Sequence, residues 1–343
     1  MSSTFPLLRV PQVVLSEIVQ ALTPTDLTLL ALCSRRAFNL VKRFWKKPKN
    51  AQLRMDGRYR FHAAIIIGNM YYALLHVSSI QKKLSERPVE LIEIRGTKVQ
   101  IGYFETGNIY WSRKDFETYW EDKELGFKAV MDFVSELFST DIHTVEFLYD
   151  TYWCFDWVQS RQKTVNHACL GDGMPIEYLE YHKILETCTA ENLTLYAFHV
   201  QEESPKELTF KKRNHLSIYK TYWVEVKHLI MMDCVEIVIE QPFLEISDLA
   251  EFLKHWLNGG NGRLKYLSIK RRMDFDTNEF CQREFPDNLV FVTEEREYES
   301  ELVHTGVIPK GYGLKRNDGA VASIFWNRPF NSFAMYVPTD ITI

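Results

Sequence analysis

"NHLSIYKTYWVEVKHLIMMDCVEIVIEQPFLEISDLAEFLKHWLNGG", residues 214–260, changes its hydrophobic rhythm several times. His215 to Tyr219 and Cys234 to Glu240 alternate apolar and polar side chains, the two-residue period of a strand. Tyr222 to Met232 and Ser247 to Asn258 instead repeat their apolar residues at helical spacing. Ser247 stands where the second helix needs a cap, and Gly259 lies just past its end. Strand, helix, strand, helix within one stretch predicts an α/β fold.

The same unit recurs on either side. Strand patterns stand at HTVEFLY (143–149), TVNHACL (164–170), NLTLYAF (192–198), LKYLSIK (264–270) and LVFVTE (289–294), with a helix over FKAVMDFVSELF (127–138). A strand–helix repeat of roughly 20 to 30 residues resembles leucine-rich-repeat architecture. A doubly wound open sheet is the alternative. Strands covered on both faces read as unbroken apolar runs. Here Glu146, Thr194, Ser217, Glu236 and Ser268 interrupt the cores. One wet face and helices on the outside only follow: a degenerate strand–helix solenoid, repeat-like over about 127–294. Asn317-Asp318-Gly319 is a hairpin signal. With NSFAMYV (331–337) it predicts a small antiparallel sheet over about 308–338 that closes the solenoid.

The N-terminus is different. In "LRVPQVVLSEIVQALTPTDLTLLALCSRRAFNLVKRF", residues 8–44, Pro11 opens a helix with Val14, Leu15, Ile18, Val19 and Leu22 along one stripe. Thr23 to Asp26 breaks it and caps a second helix, Leu27 to Cys33; a third runs from Ser34 to about Trp45. The second is apolar on nearly every side and has to be covered on every side. A stretch of about 40 residues seldom builds such a core alone. Either the rest of the chain covers it or another protein does. Residues 46–60 are rich in Lys and Arg and read as a basic linker between 1–45 and a second domain, 61–343. That domain opens with a short β region over ELIEIR, KVQIGYF and NIYWS. Between Arg60 and Lys82 no residue is charged, but His62, Asn69 and His76 make this a buried element and not a membrane span.

Hydrophobic residues make up 46% of the 343, charged residues 25%, and the net charge is −4, with no general affinity for nucleic acid implied. The six cysteines lie far apart, which fits reduced thiols in an intracellular protein, cytoplasmic or nuclear. No secretory signal is visible. No phosphate loop, C-x-x-C or H-E-x-x-H is present, and Asp274 to Glu279 starts like a calcium loop but lacks its glycine. Gly259 to Gly262 reads as a helix end and turn, not a phosphate cradle. The aromatic cluster Tyr149, Tyr152, Trp153, Phe155 and Trp157 reads as core packing, with a ligand platform as the other option. No catalytic residue, cofactor or metal is implied, because no local grouping has the order of nucleophile, base and orienting group.

Pro11, Leu15, Ile18, Leu22, Asp26-Leu27, Leu30 and Cys33-Ser34-Arg35-Arg36 resemble the F-box in order and spacing, in the variant of a large nematode family. Residues 214–260 and LKRNDGAVASI are similar to the central signature and the closing R-x-D-G motif of the F-box-associated domain of that family. Ala37-Phe38 departs from it where many F-boxes carry a tryptophan. The resemblance implies a non-catalytic receptor. Pro11, Leu15, Ile18, Leu22, Leu27 and Leu30 would bind a Skp-type adaptor, and through it a cullin–RING ubiquitin ligase. The second domain would hold an unknown protein substrate, on the concave face at Tyr196, Tyr219, Glu236 and Lys270 or at the terminal hairpin near Arg316. Nucleic acid and membrane are not expected partners. A rival reading is a scaffold whose N-terminal helices cap its own core.

Overall fold

The computed structural model describes residues 10–82, 89–108, 111–171, 178–196, 208–240, 242–270, 274–300, 302 and 304–338. Leu8, Arg9, Ile109, Tyr110, Ala197 and Phe198, which fall in expected elements, lie outside the described residues. The chain forms two compact units, Met1–Val165 and Asn166–Ile343, each mixing a sheet with helices.

In the first unit Pro11 immediately precedes α1 (Gln12–Ala21). Thr23 caps α2 (Pro24–Leu32): its hydroxyl accepts from Asp26 N, and the Asp26 carboxylate accepts from Thr23 N. Ser34 caps α3 (Arg35–Phe44), accepting from Ala37 N at 3.1 Å. There follow β1 (Ala51–Asp56), β2 (Phe61–Ile67), β3 (Met70–Ser79), β4 (Glu90–Ile94), β5 (Thr97–Asn108), β6 (Trp111–Trp120), α4 (Lys123–Phe138), β7 (Ile142–Phe147) and α5 (Trp153–Arg161). The sheet order is β7-β1-β2-β3-β6-β5-β4. The pairs β7–β1 and β3–β6 are parallel and the others antiparallel.

Two expectations change here. The basic run at 46–60 is not a linker, because β1 lies inside it with Leu53 and Met55 fully buried. Two of its charges are matched: Arg54 pairs with Glu146, and Arg58 bridges Asp56 at 2.7 Å and Glu146 at 2.5 Å. Glu146 therefore belongs to an ion cluster and not to a substrate face. Nor do residues 10–45 stand apart from the rest of the first unit. Phe38 packs on Phe133 and Trp45 on Phe138, ring centroids 5.2 Å apart in both pairs. The Thr25 hydroxyl donates to Ala73 O at 2.8 Å. The division falls after Val165, inside the expected second domain. The uncharged run after Arg60 is the β2–β3 hairpin, turning at Gly68 with φ +59° and burying Ile65 and Leu75 completely. Among the described residues no helix is long and apolar enough to cross a membrane.

The second unit contains β8 (His167–Leu170), α6 (Tyr178–Thr187), β9 (Asn192–Leu195), β10 (Arg213–Ile218), α7 (Val226–Met231), β11 (Cys234–Glu240), α8 (Ile246–Leu257), β12 (Tyr266–Lys270), α9 (Thr277–Glu284), β13 (Leu289–Val292), β14 (Arg296–Glu299), β15 (His304–Ile308), β16 (Gly311–Lys315), β17 (Val321–Asn327) and β18 (Ser332–Tyr336). Strands β8 to β12 are parallel and adjacent in chain order. β18, β17, β16 and β13 extend the sheet antiparallel from β12. Of the seven strands expected in one repeat, β7 therefore belongs to the first unit's sheet, and β13 runs antiparallel at the far edge. The hairpin over 316–320 is present, with Gly319 at φ +94° where only a glycine is unstrained.

The rows across the parallel strands explain the sheet. Leu193, Leu216, Ile237 and Leu267 stand in register, as do Leu195, Ile218, Ile239 and Ile269, and all are 1% exposed or less. α7 is shorter than the 222–232 pattern, since Trp223 lies ahead of it and packs against Tyr181 and His228. α8 starts at Ile246, its cap being Glu245, whose N–H donates to Asp248 at 2.7 Å, and not Ser247. Arg213, which no sequence pattern singled out, is buried at 3% exposure and donates to the carbonyls of Leu185, Cys188 and Ala190. There it satisfies orphan groups at the end of α6.

Candidate functional site

The expected adaptor residues fall into two groups. Leu27 and Leu15, at 0% and 7% exposure, face inward. Pro11 is exposed, and Ile18, Leu22 and Leu30 are half-buried. The chain itself thus covers part of the leucine excess, the first of the two options its composition left open. What α1 leaves outside is the edge Pro11, Val14, Ile18, Leu22, at helical spacing, with Val13 beyond it at 74% exposure.

The expected substrate residues come together more closely than their spacing promised. Tyr196 and Tyr219 stack with centroids 4.4 Å apart. Tyr219 shares hydrogen bonds with Tyr196 and Ser217; burial, then its Tyr196 neighbour, pushes its phenol up. Ser217 Oγ meets His215 Nε2 at 2.6 Å, and His215 Nδ1 donates to Glu236 Oε2 at 2.9 Å. Glu236 also accepts from the hydroxyls of Tyr298 and Ser300, the latter at 2.8 Å. One hydrogen-bonded chain therefore runs from Tyr196 to Glu236 across neighbouring strands. Burial alone would raise the Glu236 carboxyl; the bonds from His215, Tyr298 and Ser300 outweigh it and hold the group below its usual range. Lys270 lies outside this chain and pairs with Glu240 at 3.2 Å.

The expectation of a wet concave face does not hold. Thr194, Ser217 and Ser268 are buried, at 3 to 7% exposure. The β14–β15 hairpin lies over Glu236, and its Tyr298 stacks on Tyr266 at 5.4 Å. Alternation along the strands separated the faces correctly, but a separate hairpin covers the polar one at Glu236 and Tyr266.

Ser217, His215 and Glu236 have the order of nucleophile, base and carboxylate that no local sequence grouping displayed. The trio is invisible in sequence because it spans two strands. Its hydroxyl is enclosed at 3% exposure, in a strand paired on both sides, so the arrangement works as a hydrogen-bond relay. Among the described residues no group of three metal-ligating side chains is placed to hold a metal ion.

Two sequence landmarks turn out to be one structural feature. Arg316 of the R-x-D-G motif lies over the Trp256 ring, 5.0 Å from its centroid, and is forked onto Asp318 at 2.9 and 2.6 Å. Trp256 is 1% exposed. The terminal hairpin near Arg316 is thus fastened to α8.

Residues 204–269 match the family described as F-box associated. This stretch is similar to that family. It takes in β10 through β12, and so the His215–Ser217–Glu236 relay and Tyr219. No curated protein and no solved structure matches the chain.

Proposed function

We propose that this chain is the substrate-recognition subunit of a Skp–cullin–F-box ubiquitin ligase. The observation that carries the reading is the F-box associated region at 204–269, in a chain whose residues 11–36 resemble an F-box. The adaptor takes the exposed edge of α1, Pro11, Val14, Ile18 and Leu22, while Leu15 and Leu27 hold that edge in place from beneath. The second unit holds the protein to be modified. The chain makes and breaks no bonds itself; it supplies proximity, turning the meeting of a substrate lysine and a charged conjugating enzyme into a local event.

The full burial of Leu27 favours a second reading, a scaffold whose N-terminal helices only complete its first unit. Co-purification with a Skp-type adaptor separates the two. The ligase reading expects the intact chain to retain the adaptor, and Val14→Asp/Ile18→Asp to lose it while the variant still unfolds cooperatively as a folded chain. An intact chain that retains no adaptor, or a variant that retains it fully, overturns the ligase reading.

A further inference from the structure

The β14–β15 hairpin carries its own two-stranded pairing and is held to the polar face of the second unit's sheet by side chains. The Tyr298 ring lies nearly parallel to Tyr266, at 15°, and contacts Tyr336 at 5.2 Å. The Tyr298 and Ser300 hydroxyls both donate to Glu236. Ile308, 1% exposed, packs with Phe325 and Ala334. The seat is thus defined by one aromatic platform and one carboxylate that can only accept.

We propose that residues 296–300 act as an internal pseudo-ligand. They occupy a peptide-binding face whose partner is an extended segment bearing a tyrosine and, two positions on, a serine or threonine. The partner is the substrate of the proposed receptor, so the inference rests on that reading and deepens it. Three features support it. First, a permanent cover is served as well or better by apolar residues than by a buried polar row. Here Glu236, hydrogen-bonded in turn to His215, stands under the hairpin instead. Second, a competitor that donates the same two bonds leaves no buried group unsatisfied, so exchange between hairpin and partner is nearly balanced. Third, the stacked ledge of Tyr196 and Tyr219 is joined to Glu236 by the relay, which extends the surface a longer segment meets. The carboxylate also sets a specificity: a phosphorylated tyrosine would place like charges together and be refused.

The test uses the full chain and a fluorescein-labelled peptide copying residues 294–300. A tethered segment acts at millimolar effective concentration, so the peptide is titrated to the millimolar range. Tyr298→Ala/Ser300→Ala is expected to bind it at least tenfold more tightly than the intact chain. Adding Glu236→Gln is expected to weaken that binding at least tenfold, and the phosphotyrosine form of the peptide should not bind. Equal binding by the intact chain and the double variant, no binding by either, or equal binding of the phosphorylated or a scrambled peptide overturns the proposal. Tyr298→Phe/Ser300→Ala keeps the ring in place and guards against misfolding. Its amides at 296–299 are expected to exchange at least tenfold faster than in the intact chain, and unchanged exchange also overturns the proposal. Adaptor co-purification, run on the same samples, reports on the ligase reading alone.

Discussion

The N-terminal helices and the polar face of the second unit's sheet both present side chains that ask for a partner. Both find one inside the chain, by different physics. Leu27 is covered by apolar packing, which is dense, continuous with the core and lost only when the first unit unfolds. Glu236 is covered by hydroxyls from a hairpin that is not paired into the main sheet, and water or another donor can replace those bonds one at a time. Composition marks a surface that needs covering. Whether the cover is permanent depends on what the contact is made of.

The contrast breaks first at Leu27. Leu27→Ala is expected to lower the stability of the first unit by about 3–5 kcal/mol, the range for a fully buried leucine. Urea unfolding checks this, and a loss below about 1 kcal/mol would show that α2 is not part of that core.

In the second unit, His228 gives the next largest effect. It is 1% exposed, and its Nδ1 accepts from Glu225 N at 3.0 Å, so the ring is held neutral. Burial first, then Lys227, push its pKa down to about 4, against the opposing pull of Glu225. Because the folded value lies below the ordinary 6.5, the contribution is complete above pH 6.5 and is lost as pH falls toward 4. The loss is at most about 3 kcal/mol, and His228→Gln should flatten the curve in that window. Glu236 acts later: its depressed carboxyl keeps the hairpin latched until pH falls below 4.5, after which exchange at 296–299 should accelerate ahead of global unfolding.

Arg316→Ala is expected to cost about 1–2 kcal/mol through the lost stacking on Trp256. Thermal unfolding should show this as a lowered midpoint, and Trp256 fluorescence should change with it. Val14→Asp sits at the small end, within about 0.5 kcal/mol, since Val14 is 44% exposed. A large destabilisation there would place α1's outer edge in the core and remove the proposed adaptor face.

Much of the architecture was legible because it rests on local period. Cys234–Glu240 is a strand over the length its alternation marks, and the cap offered by Thr23 to Asp26 is made by Thr23; Ser34, expected as the first residue of its helix, is that helix's cap. The apolar row through Leu193, Leu216, Ile237 and Leu267 also follows from alternation. What was not legible was long-range. Charge at Arg54 and Arg58 hid β1, because the balancing Glu146 lies about ninety residues on, across a parallel pairing. The relay from Tyr219 to Glu236 needs the register of β10 on β11, which no single strand contains. The hairpin at 296–308 carries alternation of its own, but nothing in it says which face it lies on.

The most direct test of the division of labour is hydrogen exchange over the whole chain, alone and with a purified Skp-type adaptor. The account predicts slowed exchange along Gln12 to Leu22 when the adaptor is present, with the amides at 296–308 unchanged. An adaptor that binds without slowing any amide between residues 11 and 44 would contradict it.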